Sequence, residues 1–138
     1  MRSHNLISHT ADARLRVEAD TREELFRAAL EGMNELIKNG FCKHRKGYPV
    51  REEILLTAGD TTALLIDFLS DVLTLSHQNQ ALFCAVDFLE FTETTLRAII
   101  HGAKTEDFEE DVKAVTYHEV EVKKNEAGNY ETLIVFDI

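Results

Sequence analysis

A single proline, Pro49, interrupts the 138 residues, and no low-complexity tract, internal repeat or linker divides them. One folded domain over residues 1–138, long enough for a hydrophobic core, is therefore expected. No apolar run approaches the roughly 20 residues that a helix needs to cross a bilayer. Met1–Asn5 leads into no long apolar segment, so neither a membrane span nor a signal peptide is expected, and a cytoplasmic location follows. The only two cysteines, Cys42 and Cys84, lie far apart. Without a C-x-x-C pair, a zinc ribbon and a thioredoxin motif are excluded. One disulfide is open to them, but the expectation is a pair of buried thiols in a cytosolic chain.

Other absences narrow the chemistry. The six glycines are scattered singly, so there is no P-loop and no Rossmann fingerprint, and G-x-S-x-G is missing. His4, His9, His44, His77, His101 and His118 form no H-x-x-x-H pair, which leaves a zinc enzyme unsupported. Basic residues are scarce, 15 against 25 acidic, for a net charge of -10. Strong direct binding to nucleic acid needs clustered Lys and Arg and is not expected. An acidic surface is better matched to a basic protein partner or to metal cations.

What is present is ordinary globular patterning, 44% apolar. Residues 5–8 suggest a short strand. From Ala13 to Asp20, Leu15, Val17 and Ala19 alternate with Arg14, Arg16 and Glu18, the period of a half-buried strand. Thr21 and Glu24 are spaced as a capping box opening a helix to about Lys38, with Leu25, Phe26, Ala29, Leu30, Met33, Leu36 and Ile37 on one face and Gly40 as its stop. Phe41–Pro49 is a basic loop. A strand over Val50–Ala58 precedes Asp60, which suits the N-cap of a second helix reaching His77–Asn79. In that helix Leu64, Leu65 and Ile66 are apolar nearly all round, which predicts a central position.

Period two then returns, with Leu82, Cys84, Val86 and Phe88 on one face, a turn at Thr94–Thr95 and a strand over Leu96–His101. Gly102–Asp111 reads as an acidic loop and the best place for an insertion. Val112–Val122 reads as one long strand, with a bulge or twist near Thr116–His118. Asn125–Asn129 is a hairpin loop before a last strand, Thr132–Phe136. Hairpins rather than βαβ units predict an α+β fold, a mostly antiparallel β-sheet packed against two helices.

Two pieces carry the candidate chemistry. His9-Thr10-Ala11-Asp12 is a polar junction between strands, and Phe136-Asp137-Ile138 ends the chain with an acid between apolar residues that suggest a docked end. Asp12, Asp137 and the α-carboxylate of Ile138 together offer oxygen ligands for a hard cation: Ca²⁺, Mg²⁺ or Mn²⁺. On a strand, Lys113 and Tyr117 share a face, and the bland alternative there is a solvent face with one buried tyrosine.

In combination, the H-T-A-D segment, Glu24-Leu25-Phe26, Leu64–Leu69, Val112-Lys113-Ala114-Val115-Thr116-Tyr117-His118 and the final Phe136-Asp137-Ile138 resemble the archease family over essentially the whole chain. The resemblance implies an accessory protein without turnover of its own. It would assist an RtcB-type RNA ligase in tRNA splicing and repair by promoting its guanylylation and multiple turnover. It also implies a metal site at Asp12 and Asp137 beside Ile138, and a functional lysine at Lys113. His9 and His118 are further candidates for contact with the partner or a phosphate. The chain departs from the family pattern at Phe68, where many members carry tryptophan, and in its histidine-free 102–111 loop. Two other classes fit the same residues. One is a chaperone-like binding module working through the first helix's face. The other is a small metal-dependent phosphoester hydrolase, which lacks an evident general base beyond His9 and His118.

Overall fold

The structure is a computed structural model that describes residues 1–8, 12–43, 45–117 and 120–138. In chain order it contains β1 (Arg2–Ser8), β2 (Asp12–Ala19), α1 (Arg22–Ile37), β3 (Val50–Thr57), α2 (Thr61–Asn79), β4 (Ala81–Phe91), β5 (Thr95–Lys104), β6 (Ala114–Thr116), β7 (Lys123–Lys124) and β8 (Tyr130–Asp137). The α+β class expected from the sequence is the one observed. The antiparallel strands are divided between two sheets: β1-β2-β8-β6, with β7 also on β8, and β3-β5-β4.

Both helices start where side chains satisfy their free backbone donors. Thr21 Oγ1 accepts the Glu24 N–H at 3.1 Å, and Asp60 Oδ1 accepts the Ala63 N–H at 2.8 Å. The reciprocal half of the expected capping box does not form, because Glu24 directs its carboxylate to Arg2 at 2.6 Å and Arg27 at 3.4 Å. The apolar stripe of α1 is buried, with Leu25, Phe26 and Met33 fully enclosed. It packs on β1 and β2 and against β4, whereas α2 packs on β3 and β4 and reaches β6. The helices thus fill the space between the sheets. Leu64, Leu65 and Ile66 are wholly buried, as a central helix requires.

Where the two helices meet β4, Phe26 packs edge-on against Phe91 at 4.8 Å between ring centroids, Phe88 does so at 5.1 Å, and Phe68 completes the cluster 5.7 Å from Phe26. Close helix–sheet approach depends on Gly32: a Cβ there would lie 2.5 Å from Leu15 Cδ2, which is itself fully buried on β2.

Four local readings are corrected. First, Cys42 and Cys84 are bonded as a disulfide, not held as separate thiols; the fold brings their Cα atoms to 5.6 Å, within the range a bridge needs. Second, Leu82 and Phe83 are both buried, because the β4–β5 register shifts between Phe83 and Ala85 and breaks the alternation at Cys84. Third, the acidic loop is shorter than it reads. β5 runs on to Lys104, and residues 105–111 fold over the end of α1, where Glu109 and Glu110 both donate their N–H to the Ile37 carbonyl and Lys38 pairs with Asp107 at 2.6 Å. A helix C-terminus exposes unpaired carbonyls, and this segment satisfies one of them.

Fourth, the long strand over Val112–Val122 is interrupted. β6 ends at Thr116, and β7 rejoins β8 only at Lys123. Of the described residues between them, Tyr117 donates its hydroxyl to Asp67 on α2, the Val122 N–H donates to Thr62 Oγ1 at 2.9 Å, and Val120 and Val122 pack on the core. Tyr117 is also not the buried tyrosine of the bland reading, being 59% exposed. The hairpin between β7 and β8 forms as expected, closed by Asn125 N–H to the Asn129 carbonyl at 2.8 Å.

Candidate functional site

The register of β2 on β8 is fixed by its inner face. Ala13 lies opposite Phe136, Leu15 opposite Ile134 and Val17 opposite Thr132, all buried. A slip of one residue would turn that whole set outward, so this register is strongly specified. Its consequence at the strand end is that Asp12 and Asp137 are directly opposed. β6 adds a third strand, with Ala114 opposite Asp137, and the Lys113 N–H donates to the Asp137 carbonyl at 2.8 Å. Asp12, Asp137 and the backbone of Lys113 therefore meet at one edge of the first sheet. The Lys113 side chain is exposed there, and Ile138 packs partly against the core.

Opposed like charges destabilise an antiparallel pair unless something neutralises them. Arg14 Nε stands 3.9 Å from Asp12 Oδ1, too far for a hydrogen bond. Asp12 Oδ1 is buried and has no hydrogen-bond partner. A buried carboxylate oxygen left in this state is what a cation ligand would present before binding. Among the described residues, no group of three His, Cys, Asp or Glu side chains is placed to hold a metal. A cation between Asp12 and Asp137 would need further oxygens. The donor set is all oxygen and fits a hard cation. His9, Thr10, Ala11 and His118 lie outside the described residues, as does His44 of the basic loop.

A second polar group lies on α2, where Tyr117 meets it. The Tyr117 hydroxyl donates to Asp67, and this hydrogen bond, followed by partial burial and the charge of Asp67, raises the tyrosine's pKa. Asp71, one turn beyond Asp67, has its pKa raised by partial desolvation and then by the Asp67 charge. Sequence reasoning missed Asp67; the signal was an acid inside the apolar run Leu64–Leu69, where an unpaired carboxylate is unfavourable.

These features define a small α+β chain in two antiparallel sheets, with a carboxylate pair fixed at a sheet end. The sequence matches the Archease protein family (MTH1598/TM1083) over residues 4–138, and the chain belongs to that family. Protein archease of Methanosarcina mazei is 31% identical, in an alignment covering 99% of this chain and 97% of that protein. Protein archease of Pyrococcus furiosus is 30% identical over the full length of both. Among solved structures, protein 1598 of Methanobacterium thermoautotrophicum superposes with a TM-score of 0.74 at 20% identity, covering 98% of each chain. An archease of Thermotoga maritima, described as a possible chaperone, gives 0.66 at 20% identity, covering 96% of this chain and 94% of that one. At that identity the two structures establish the shared fold. No helix among the described residues is long and apolar enough to cross a membrane.

Proposed function

We propose that this chain is an accessory protein of tRNA splicing and RNA repair that activates an RtcB-type RNA ligase. It would promote the ligase's guanylylation and multiple turnover and have no turnover of its own. The observation that carries the reading is the opposed pair Asp12 and Asp137, with Asp12 Oδ1 buried and without a hydrogen bond, in a chain of the archease family.

Asp12, Asp137 and the oxygens of Ile138 would hold a divalent ion: Ca²⁺, Mg²⁺ or Mn²⁺. Such an ion supplies positive charge that offsets phosphate oxygens during nucleotidyl transfer. The protein's own contribution is placement. The core-locked register presents both carboxylates on one face, and the Lys113 N–H fixes the backbone of Asp137. The exposed Lys113 ammonium is available to a phosphate or to a carboxylate of the ligase, and His9 and His118 remain candidates for the same contact. The net charge of -10 suits a basic, RNA-binding partner, with steering that weakens in salt. A chaperone-like module working through α1 is disfavoured, because the apolar face of that helix is committed to the core.

The test is ligase guanylylation and multiple-turnover joining with Asp12→Ala, Asp137→Ala and Lys113→Ala, each checked for folding by circular dichroism. Each variant should lose most of the stimulation. Wild-type stimulation by all three folded variants would overturn the assignment.

A further inference from the structure

The Cys42–Cys84 disulfide ties the loop after α1 to β4 at its first register shift. Neither cysteine is sealed in the core, since both have intermediate exposure. Both line a cavity of about 550 Å³ between β1, α1 and that loop, and Cys84 also lines a second cavity of about 230 Å³. The larger volume is in the range of small-molecule sites.

Asn34 gives an independent observation. It is only 4% exposed and forms part of the larger cavity's wall. Its Nδ2 donates to the Phe83 carbonyl at 2.8 Å and lies 4.0 Å from Cys42 Sγ, while its Oδ1 has no hydrogen-bond partner. The amide N–H of Asn34 therefore faces the bridge. A disulfide sulfur is a weak acceptor, whereas a Cys42 thiolate accepts a charge-assisted hydrogen bond from the same N–H. That stronger bond weights the balance toward the reduced form.

We propose that the Cys42–Cys84 bridge is a reversible thiol-exchange site whose co-reactant is a low-molecular-weight thiol of the glutathione type, admitted through the larger cavity. A small thiolate attacks Cys42 Sγ, the Cys42–Cys84 bond breaks, and Cys84 leaves as a thiolate that takes a proton from solvent. A second small thiolate attacks the small-molecule sulfur of the mixed disulfide, releasing the small-molecule disulfide and a Cys42 thiolate, which is protonated in turn. The bridge gains two electrons, and two small thiols lose one each.

The surroundings fit this direction. Lys43, in the wall of the larger cavity, attracts an incoming anion. The two acids of that wall are already engaged: Glu31 by Arg2 at 2.9 Å, and Glu35 by the Gly40 N–H at 3.2 Å. Cys84 leaves into a cavity where Arg2 and Arg27 are balanced by Glu24 and Glu31, with which they pair. Asn34 acts as a positioning residue. The proposal is independent of the ligase reading.

The oxidised full-length protein should be equilibrated in glutathione buffers of graded ratio, quenched by alkylation and weighed intact, with circular dichroism on the same samples. The bridge should open while the spectrum stays native, and one glutathione adduct, mapped to Cys42, should appear at intermediate ratios. Asn34→Leu should need a buffer about tenfold more reducing for half-opening. Cys84→Ser should take up one glutathione on Cys42 in the folded state. A bridge that stays closed until denaturant is added, or that opens only as the native spectrum is lost, would overturn the proposal. Folded Cys84→Ser that takes up no glutathione would do the same, and an unchanged midpoint in Asn34→Leu would remove Asn34 from it.

Discussion

Asp12 and Asp137 face each other across β2 and β8, two carboxylates held as a direct cross-strand pair. Antiparallel geometry puts their Cβ atoms about 5 Å apart. They cannot separate by sliding, because the same register buries Leu15, Ile134 and Phe136. Repulsion is therefore built into the pair, only partly offset by Arg14 at 3.9 Å from Asp12, and a ligand that relieves it further binds the folded state selectively. Asp12→Asn should raise the melting temperature in chelator by an amount corresponding to about 0.5 kcal/mol. Millimolar Ca²⁺, Mg²⁺ or Mn²⁺ should raise that of the wild type by several degrees and leave the variant unmoved. Scanning calorimetry of both proteins, with and without each cation, makes the comparison. An equal response from the two would remove Asp12 from the ligand set.

Gly102 lies at a close approach between β4 and β5. A Cβ added there would meet the Leu82 carbonyl and lie 2.8 Å from Phe83 Cα, both backbone groups of the neighbouring strand that cannot rotate away. Gly102→Ala should cost about 3 kcal/mol, at the upper end for overpacking. Urea unfolding monitored by circular dichroism should show the midpoint falling with little change in slope. A variant within 0.5 kcal/mol of the wild type, on the order of an ordinary surface substitution, would mean that the β4–β5 register differs from the one described.

Helices and turns were legible because their signals are local. Thr21, Asp60 and the Asn125–Asn129 loop each act within a few residues, and all three are found in those roles. The meeting of Asp12 and Asp137 was inferred from their positions at strand ends, and the alternation that specifies it was visible in Ala13–Ala19. What sequence could not show was long-range competition. Glu24 is spaced to complete a capping box, but Arg2, 22 residues away, takes its carboxylate. Val112–Val122 has the composition of a strand, yet Asp67 and Thr62 on α2 bond Tyr117 and Val122 instead. The disulfide likewise depends on a separation of 42 residues being closed by the fold.

Asp71 gives a prediction with a definite sign in pH. Its folded pKa lies above the ordinary 3.8, through partial desolvation and then the like charge of Asp67. Below 3.8 both the folded and the unfolded states are protonated there, and the site carries no penalty. As the pH rises through the raised folded value, the unfolded state has already released its proton, so folding becomes less favourable. The penalty is complete at neutral pH. Asp71→Asn should therefore be more stable than the wild type at pH 7, by less than about 1 kcal/mol because the site is largely solvated. The advantage should disappear near pH 3. Melting curves across that range test it, and a constant difference at all pH values would assign the effect to helix propensity instead.

Tyr117 and Asp67 tether the chain beyond β6 to α2, and the tether can be read in the tyrosine's own titration. The hydrogen bond to the Asp67 carboxylate raises the Tyr117 pKa, with partial burial and the Asp67 charge adding to it. An alkaline titration followed by phenolate absorbance should therefore show a late component from Tyr117. Tyr117→Phe should delete it, and Asp67→Asn should move it down toward the ordinary value. Either change should leave the fold intact at a cost of about 1 kcal/mol, and hydrogen exchange should quicken in the segment 114–117. If Asp67→Asn left the late component in place, the hydrogen bond to Asp67 would not be the cause of the shift.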